Sequence, residues 1–239
     1  MSLLWIFAIS LLASFTQRVS GFGFGIIAMT VFSFALPSYG EATALSGMLG
    51  ALTSVVTALG MRRQVPWAKL LPILLTFLAV SFFAVLFVSK VGSSEMKKVL
   101  GVVLICVSLY FFFLSEKIRL RPSLGVQLGL GSLSGVMGGL FAMQGPPAVI
   151  YFISSSQTRQ EYIAMTQWYF FIGNLMMTFF RAARGLVTPT VLTDWAICAP
   201  AVFVGIFIGG KVAERIDIKL LRKIVYGFLA ASGLISLLS

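Results

Sequence analysis

Three glycines at alternate positions, Gly21, Gly23 and Gly25, follow Arg18 inside an otherwise apolar stretch. Glycine permits backbone that is neither helix nor strand, and it lets a ligand approach main-chain N–H groups closely. A helix that begins after such a break presents unpaired N–H groups and the positive end of its dipole, which suits an anion. A nearby guanidinium can add two parallel hydrogen bonds. We therefore predict an anion site that includes Gln17, Arg18, Ser20, Gly21, Gly23 and Gly25. The alternatives are that the glycines only allow close helix packing and that Arg18 is a loop residue.

Two adjacent prolines, Pro146 and Pro147, mark a second break, because they remove two backbone donors and prevent a helix from continuing. Irregular backbone at membrane depth is tolerated only where it is buried in protein or lines a wet cavity. Broken helices in matching places of two halves point to a binding site between them. A kinked helix or a loop outside the membrane is the alternative. The residues that we assign to this second part of the site are Ser134, Gly135, Gly138, Gly139, Gln144, Gly145, Pro146 and Pro147.

Polar residues spaced by sevens, Gln167, Asn174 and Arg181, interrupt a later apolar segment. Because an α-helix has about 3.6 residues per turn, the three side chains return to nearly the same helix face. Polar groups inside a membrane helix usually face the bundle interior and often mark a substrate path, although hydrogen bonding between helices is the alternative. We predict that Gln167 and Asn174 line the path and that Arg181 anchors the end of its helix.

The carboxylates Glu41, Glu161 and Asp194 are candidates for proton coupling. Glu41 and Glu161 stand where helices are predicted to start, and capping of free N–H groups at the positive end of the dipole explains both without a coupling role. The chain has no histidine, which excludes an imidazole proton relay and a Ser-His-Asp triad. Its two cysteines lie alone in apolar runs. We predict no enzyme activity, no cofactor and no metal site.

The composition requires that these residues be held in a membrane. Hydrophobic residues make up 59% of the 239-residue chain and charged residues only 10%, with a mean hydropathy of +1.00, whereas about a quarter of a soluble domain is charged. The sequence predicts an all-α polytopic membrane protein with about 8–10 membrane segments. Its net charge of +11 comes from short clusters between apolar runs, which indicates membrane topology rather than nucleic-acid binding.

Ordinary spanning helices are predicted at 42–61, 68–89, 97–114, 162–180, 190–210 and 219–238, and interrupted stretches at 3–36 and 123–153. The two interrupted stretches match each other, since Ser20-Gly21, Gly25 and Ala28-Met29 recur as Ser134-Gly135, Gly139 and Ala142-Met143. We predict two homologous repeats, residues 1–121 and 122–239, whose first elements are broken or re-entrant.

Loop charges favour repeats of opposite orientation. If each interrupted stretch crosses twice, or enters and returns, one side of the membrane collects Arg62, Arg63, Lys69, Lys117, Arg119, Arg121, Arg159, Lys211, Arg215, Lys219, Arg222 and Lys223, and the other keeps Lys90, Lys97, Lys98, Arg181 and Arg184. This is the asymmetry of the positive-inside rule. A single crossing by each stretch leaves the charges balanced. We therefore predict inverted repeats, with both chain ends on the non-cytoplasmic side.

The glycine-rich element Ser20-Gly21-Phe22-Gly23-Phe24-Gly25, its counterpart Ser134-Gly135-Val136-Met137-Gly138-Gly139 and the following Gly145-Pro146-Pro147 resemble the sulfite exporter TauE/SafE family of bacterial anion permeases. The resemblance covers nearly the whole chain. It implies a secondary carrier, in the inner membrane, for sulfur-containing anions such as sulfite, sulfoacetate or other organosulfonates. Because Phe22 and Phe24 separate the first glycines, we expect the first half to form the less polar wall of the site.

The expected mechanism is alternating access, with the anion held by main-chain N–H groups, Arg18, Gln144 and Asn174. The expected partners are a small anion, the lipid bilayer, a coupling ion (proton or sodium) and a second copy in a homodimer, with no nucleic acid. The alternatives are a transporter or channel for another small anion, a cation or a metabolite, and a non-transporting membrane assembly subunit.

Overall fold

The computed structural model describes residues 2–88, 90–113, 120–213 and 218–238, and these residues form an all-helical bundle. The helices are α1 (Ser2–Ser20), α2 (Phe24–Ala35), α3 (Tyr39–Gly60), α4 (Trp67–Val88), α5 (Ser93–Phe113), α6 (Leu124–Phe141), α7 (Gly145–Ser155), α8 (Arg159–Ala182), α9 (Pro189–Val212) and α10 (Ile218–Leu238). Within the described ranges, five helices are long and apolar enough to cross a membrane, namely α1, α3, α4, α6 and α9. The predicted fold class, an all-α polytopic membrane protein, is confirmed.

Both interrupted stretches break as the sequence predicts. The first forms α1 and the short α2, separated by Gly21–Gly23, and the second forms α6 and the short α7, separated by residues 142–144. With 12 and 11 residues, α2 and α7 extend only about 18 and 16 Å, whereas the hydrocarbon core is about 30 Å thick. Each short helix therefore covers little more than half of the membrane.

Side-chain caps explain where several helices begin. Ser38 accepts a hydrogen bond from the N–H of Glu41, and the Glu41 carboxylate accepts one from the N–H of Ser38, which is a complete capping box. Thr158 and Thr188 cap α8 and α9 through single side-chain bonds. The starts of α3, α8 and α9 are thus fixed by local polar residues in an apolar chain.

Four helix pairs make the most extensive contacts: α1 with α9, α4 with α6, α3 with α8, and α5 with α10. On α6, Gly131, Gly135 and Gly139 lie one turn apart and leave no room for a Cβ against α4. Small residues allow such close packing in membranes. These pairs are consistent with two sets of five helices, in which α1–α5 correspond to α6–α10. Under this correspondence the α1–α9 pair matches the α6–α4 pair, and the other two pairs each match themselves. Two five-helix repeats would pack in this way, and the repeats and their opposite orientation stay a prediction.

The bundle has two ends with different charge. At the end that we call the basic end, Lys69 of α4 forms a 2.7 Å salt bridge with Glu161 of α8. At the far end, Glu41 of α3 accepts a 2.7 Å hydrogen bond from Thr188, the cap of α9. Described residues at the basic end include Arg62, Arg63 and Arg159. Of the predicted topology signals, Lys117, Arg119 and Arg215 lie outside the described residues, as do the side chains of Lys219, Arg222 and Lys223.

Candidate functional site

A small buried cavity lies where the two breaks meet. Its volume is ≈ 20 Å³, about the space that one water molecule needs. Its walls come from the start of α2, the start of α7, and the middle of α3 and α8. The lining residues are Gln17, Gly23, Phe24, Gly25, Ile26, Ser46, Gly50, Ala142, Met143, Gln144, Gly145, Phe170 and Asn174. We call it the central cavity.

The first break directs main-chain donors into the central cavity. The first backbone hydrogen bond of α2 runs from the N–H of Ile27 to the carbonyl of Gly23, so the N–H groups of Phe24, Gly25 and Ile26 have no acceptor within the helix. The side chain of Gln17 accepts the N–H of Phe24 at 3.2 Å. Gly25 and Ile26 are left to offer N–H donors at the positive end of the α2 dipole.

Gly25 also lets the two breaks touch. A Cβ added at Gly25 would overlap the carbonyl oxygen of Ala142, which belongs to the second break. Gly23 has a φ of 113°, in the left-handed region that glycine adopts freely. The glycine run is therefore needed both for the turn and for the contact between the halves.

The second break contributes amide side chains. Gln144, the residue before α7, donates from Nε2 to Oδ1 of Asn174 at 2.8 Å, and both residues line the central cavity. Behind them, the hydroxyl of Tyr169 donates to Ser134 at 2.7 Å, and Ser134 bonds to the carbonyl of Gln144. This chain of hydrogen bonds fixes Gln144 in position.

A larger vestibule of ≈ 840 Å³ opens at the basic end. Arg18, Arg159, Gln167 and the Ser20–Gly21 turn lie on its wall. The side chain of Gln167 donates to the carbonyl of Gly21 at 2.8 Å. Gln17 lines both the vestibule and the central cavity, and its Nε2 donates to Ser54 at 2.9 Å. Gln17 thus lies between the vestibule and the central cavity.

The predicted site residues fall into three groups. On the central cavity are Gln17, Gly23, Gly25, Gln144, Gly145 and Asn174. On the vestibule, in addition to Gln17, are Arg18, Ser20, Gly21 and Gln167. Away from both walls are Ser134, Gly135, Gly138, Gly139, Pro146 and Pro147. Of this third group, Gly135 and Gly139 pack closely against α4.

Arg18 is not on the wall of the central cavity. Its side chain is exposed on the vestibule, where Nη1 donates to the hydroxyl of Thr57 at 2.9 Å. Arg18 also lies against Gly209 and Gly210 of α9. This position suits the capture of anions from solution.

Sequence reasoning missed Ser46, Gly50, Phe170 and the buried state of Arg181. Ser46 and Gly50 are one turn apart on α3 and face the central cavity beside Asn174. Ser54 continues this line of small residues by one more turn. Spacing by four could have identified the face, because small residues on one helix stripe mark close approach in membranes.

The three carboxylates lie off the walls of both spaces. Glu41 caps α3, and Asp194 lies on α9, whose start Glu41 contacts through Thr188. Burial raises the pKa of Glu161, but hydrogen bonds from Lys69 and from the N–H of Gln157 lower the pKa further, so the carboxyl ionises below its ordinary range. A carboxyl whose pKa is lowered in this way is less suited to carry protons. Among the described residues no three metal-binding side chains cluster.

Comparison with known proteins gives two findings and one negative result. The sulfite exporter TauE/SafE family matches residues 6–235. A probable sulfite/organosulfonate exporter TauE from Cupriavidus necator is 22% identical over 224 residues, which is 92% of this chain and 88% of the relative. No solved structure matches the chain. The family consists of transporters, so the predictions of a multi-pass membrane protein and of no enzyme activity are confirmed. The chain belongs to the sulfite exporter TauE/SafE family of membrane transport proteins.

Proposed function

We propose that this protein is a secondary transporter for small sulfur oxyanions, such as sulfite, sulfoacetate or other organosulfonates, and that the anion binds in the central cavity. One observation carries the proposal: the N-terminal end of α2 opens on a buried space that three carboxamide side chains share. Helix N-termini bind anions through unpaired N–H groups and the dipole. The relative from Cupriavidus necator, named as a sulfite/organosulfonate exporter, supports the choice of anion.

The chemistry of the walls fits an oxyanion better than a cation. Gly25 and Ile26 offer N–H donors, and Gln144 and Asn174 offer side-chain N–H groups. No aspartate or glutamate stands on the wall of the central cavity. Carboxylates on the wall would favour a cation, whereas a sulfonate needs several donors around three oxygens.

The two spaces support alternating access as the transport mechanism. The vestibule opens at the basic end, which we assign to the cytoplasm because of the positive-inside rule, and this implies the inner membrane of a bacterium. The central cavity has room for about one water, so the helices around it must separate for an anion to enter. A coupling ion, either a proton or sodium, and a homodimer stay predictions of the sequence.

Transport by proteoliposomes tests the proposal. Vesicles that contain the purified protein are loaded with sulfite, sulfoacetate, taurine or acetate, and the release of each is measured as a function of concentration. We expect saturable release of sulfite and sulfoacetate, and slower release of acetate and of taurine, whose ammonium group would meet no carboxylate on the wall. Empty vesicles and vesicles with the Gly25→Ala variant are the controls.

Three results would contradict the proposal, each in favour of a different alternative. Release of a neutral metabolite or a cation at the rate of sulfite would assign another substrate class. Release that does not saturate would indicate a channel. No movement of any solute and no anion-dependent thermal stabilisation would indicate a non-transporting assembly subunit.

A further inference from the structure

Arg181 is a fully buried arginine that lies on the wall of neither the central cavity nor the vestibule. Its side chain is 0% exposed. Nη2 donates to the carbonyls of Gly138 at 2.9 Å and Gly139 at 3.2 Å, in the last turn of α6. Within the described part of the chain, Nε and Nη1 have no hydrogen-bond acceptor. The Lys69–Glu161 salt bridge is at the other end of the bundle and does not involve Arg181.

Capping of α6 does not account for this arrangement. A cation at a helix C-terminus is stabilised by the carbonyls and by the dipole. However, removing a charge from water costs more than such partial charges return unless the remaining donors are also satisfied. A lysine or a neutral amide would cap the same carbonyls with fewer buried donors. The unpaired nitrogens of Arg181 therefore call for a second partner of negative charge.

The unpaired side of Arg181 faces the back of the central cavity. A Cβ added at Gly47 would lie 3.1 Å from Nη1, which places the guanidinium against α3 at this residue. The adjacent Ser46 lines the central cavity, and its buried hydroxyl has no partner among the described groups. Gly138, which binds Nη2, borders Gln144 of the cavity wall. One layer of α3 and α6 backbone separates Arg181 from the predicted substrate.

Beyond Arg181 lies the far end of the bundle. Tyr39, 2% exposed, is within electrostatic range of the guanidinium, and its hydroxyl also has no partner among the described groups. Leu186 covers Gly40 beside it. Along α8, Gln167, Asn174 and Arg181 therefore mark three successive levels, about 10 Å apart. Gln167 lies at the vestibule, Asn174 at the central cavity and Arg181 next to the far end of the bundle.

We propose that Arg181 is a second oxyanion site, which binds the sulfite or sulfonate after the anion leaves the central cavity toward the far end. Nε and Nη1 of Arg181 and the hydroxyl of Tyr39 donate to the anion when α3 and α8 separate at Gly47. The proposal rests on the proposed function. It adds a second site whose loss slows passage but leaves binding in the central cavity unchanged.

The test compares Arg181→Lys and Arg181→Gln with the same substitutions at Arg184, an exposed arginine in the turn after α8. Sulfite release from proteoliposomes gives the maximal rate and the half-saturating concentration, and thermal unfolding without sulfite gives stability. We expect both Arg181 variants to lose at least about tenfold in maximal rate, the effect of one lost charge-assisted hydrogen bond. The half-saturating concentration of sulfite at the vestibule end should be unchanged in the Arg181 variants. The Arg184 variants should transport sulfite like the wild-type protein.

Tyr39→Phe gives a second measurement that does not depend on how the Arg181 variants fold. It removes a hydroxyl that pairs with no described group, so we expect wild-type thermal stability together with a several-fold lower maximal rate, since one hydrogen bond to the anion is lost. Wild-type rates for Tyr39→Phe and for Arg181→Lys would overturn the proposal. A loss confined to stability would also overturn it. If the wild-type protein moves no anion, the proposed function fails first and the second site fails with it.

Discussion

The two breaks leave the helical backbone by different means. The first uses glycine, with Gly21 at a φ of 89° and Gly23 at 113°. The second ends α6 on Ala142, a non-glycine residue at a φ of 56°, whose N–H bonds to the carbonyl of Gly138 while the next N–H reaches Met137. The bond from Ala142 to Gly138 is the αL capping motif, in which the left-handed residue is usually glycine.

Under the proposed function, this difference gives the two breaks different roles in binding the anion. The first break keeps its backbone donors, at Gly25 and Ile26, and lies next to the open vestibule. In the second break Pro146 and Pro147 remove donors from the start of α7, and the side chain of Gln144 takes their place. One break therefore contributes main-chain N–H groups, and the other contributes amide side chains backed by a buried hydrogen-bond chain.

Gly25→Ala should have the largest effect, because it separates the two breaks. Its new Cβ would overlap the carbonyl oxygen of Ala142, so α2 must shift away from the second half. A displacement of about 1 Å at a binding site can cost about 100-fold in rate, and we expect at least that loss in sulfite release. Gly129→Ala, on α6 with open space around it, should transport normally. Normal transport by Gly25→Ala would show that the breaks need not touch.

The sequence predicts the breaks well because they depend on local chemistry. Gly21, Gly23, Pro146 and Pro147 restrict or free the backbone wherever they stand, so the positions of the turns are readable without tertiary contacts. Which residues line the cavity wall does not depend on local sequence alone. In the sequence, Gly135 and Gly23 are equally good candidates for the binding site. Only the packing of α6 on α4 shows that Gly135 lies at a helix interface.

Asn174→Ala should have the next largest effect, on the contribution of the second break. The variant removes a donor from the cavity wall and leaves Gln144 without its 2.8 Å partner. A hydrogen bond to a charged group is worth about 1.5–3 kcal/mol, so we expect sulfite affinity to fall about 10–100-fold. Calorimetric titration measures this. Leu175→Ala, on the exposed side of α8, is the control. Unchanged affinity would mean that Asn174 of the second break does not contribute to binding and that the first break binds the anion alone.

The sequence predicts Arg18 at the anion because Arg18 lies only a few residues from the glycine run. The structure shows why that argument is incomplete: α1 is still helical at Arg18, so the side chain turns away from Gly25 toward Thr57 and α9. At Arg181 of α8, the sequence gives the helix face but not the depth of burial. Direction and burial depend on neighbouring helices that sequence spacing does not contain.

Arg18→Ala should have a moderate and salt-dependent effect. An exposed cation on the vestibule wall raises the local concentration of anions, and salt screens this attraction over about 10 Å at 0.1 M. We expect the half-saturating concentration of sulfite to rise several-fold at low ionic strength and the difference to disappear at high ionic strength. Arg62→Ala, exposed at the same end, should change it less. A larger loss of affinity that persists in high salt would instead mean that Arg18 touches the bound anion, as the sequence predicts.

Ala142→Gly should have the smallest effect and the opposite sign, because it gives the second break the residue that the first break uses. Left-handed backbone costs an L-residue about 1–2 kcal/mol, which glycine avoids. Glycine also gives the unfolded chain more conformational entropy, and this offsets about 0.5–1 kcal/mol of the stabilisation. We therefore expect a net stabilisation of about 0.5–1 kcal/mol, read as a higher thermal midpoint, with transport retained. Ala148→Gly, inside the regular helix α7, should lower stability by about 1 kcal/mol. A lower midpoint for Ala142→Gly would mean that the Ala142 methyl group, 4% exposed, contributes more through packing than its backbone conformation costs.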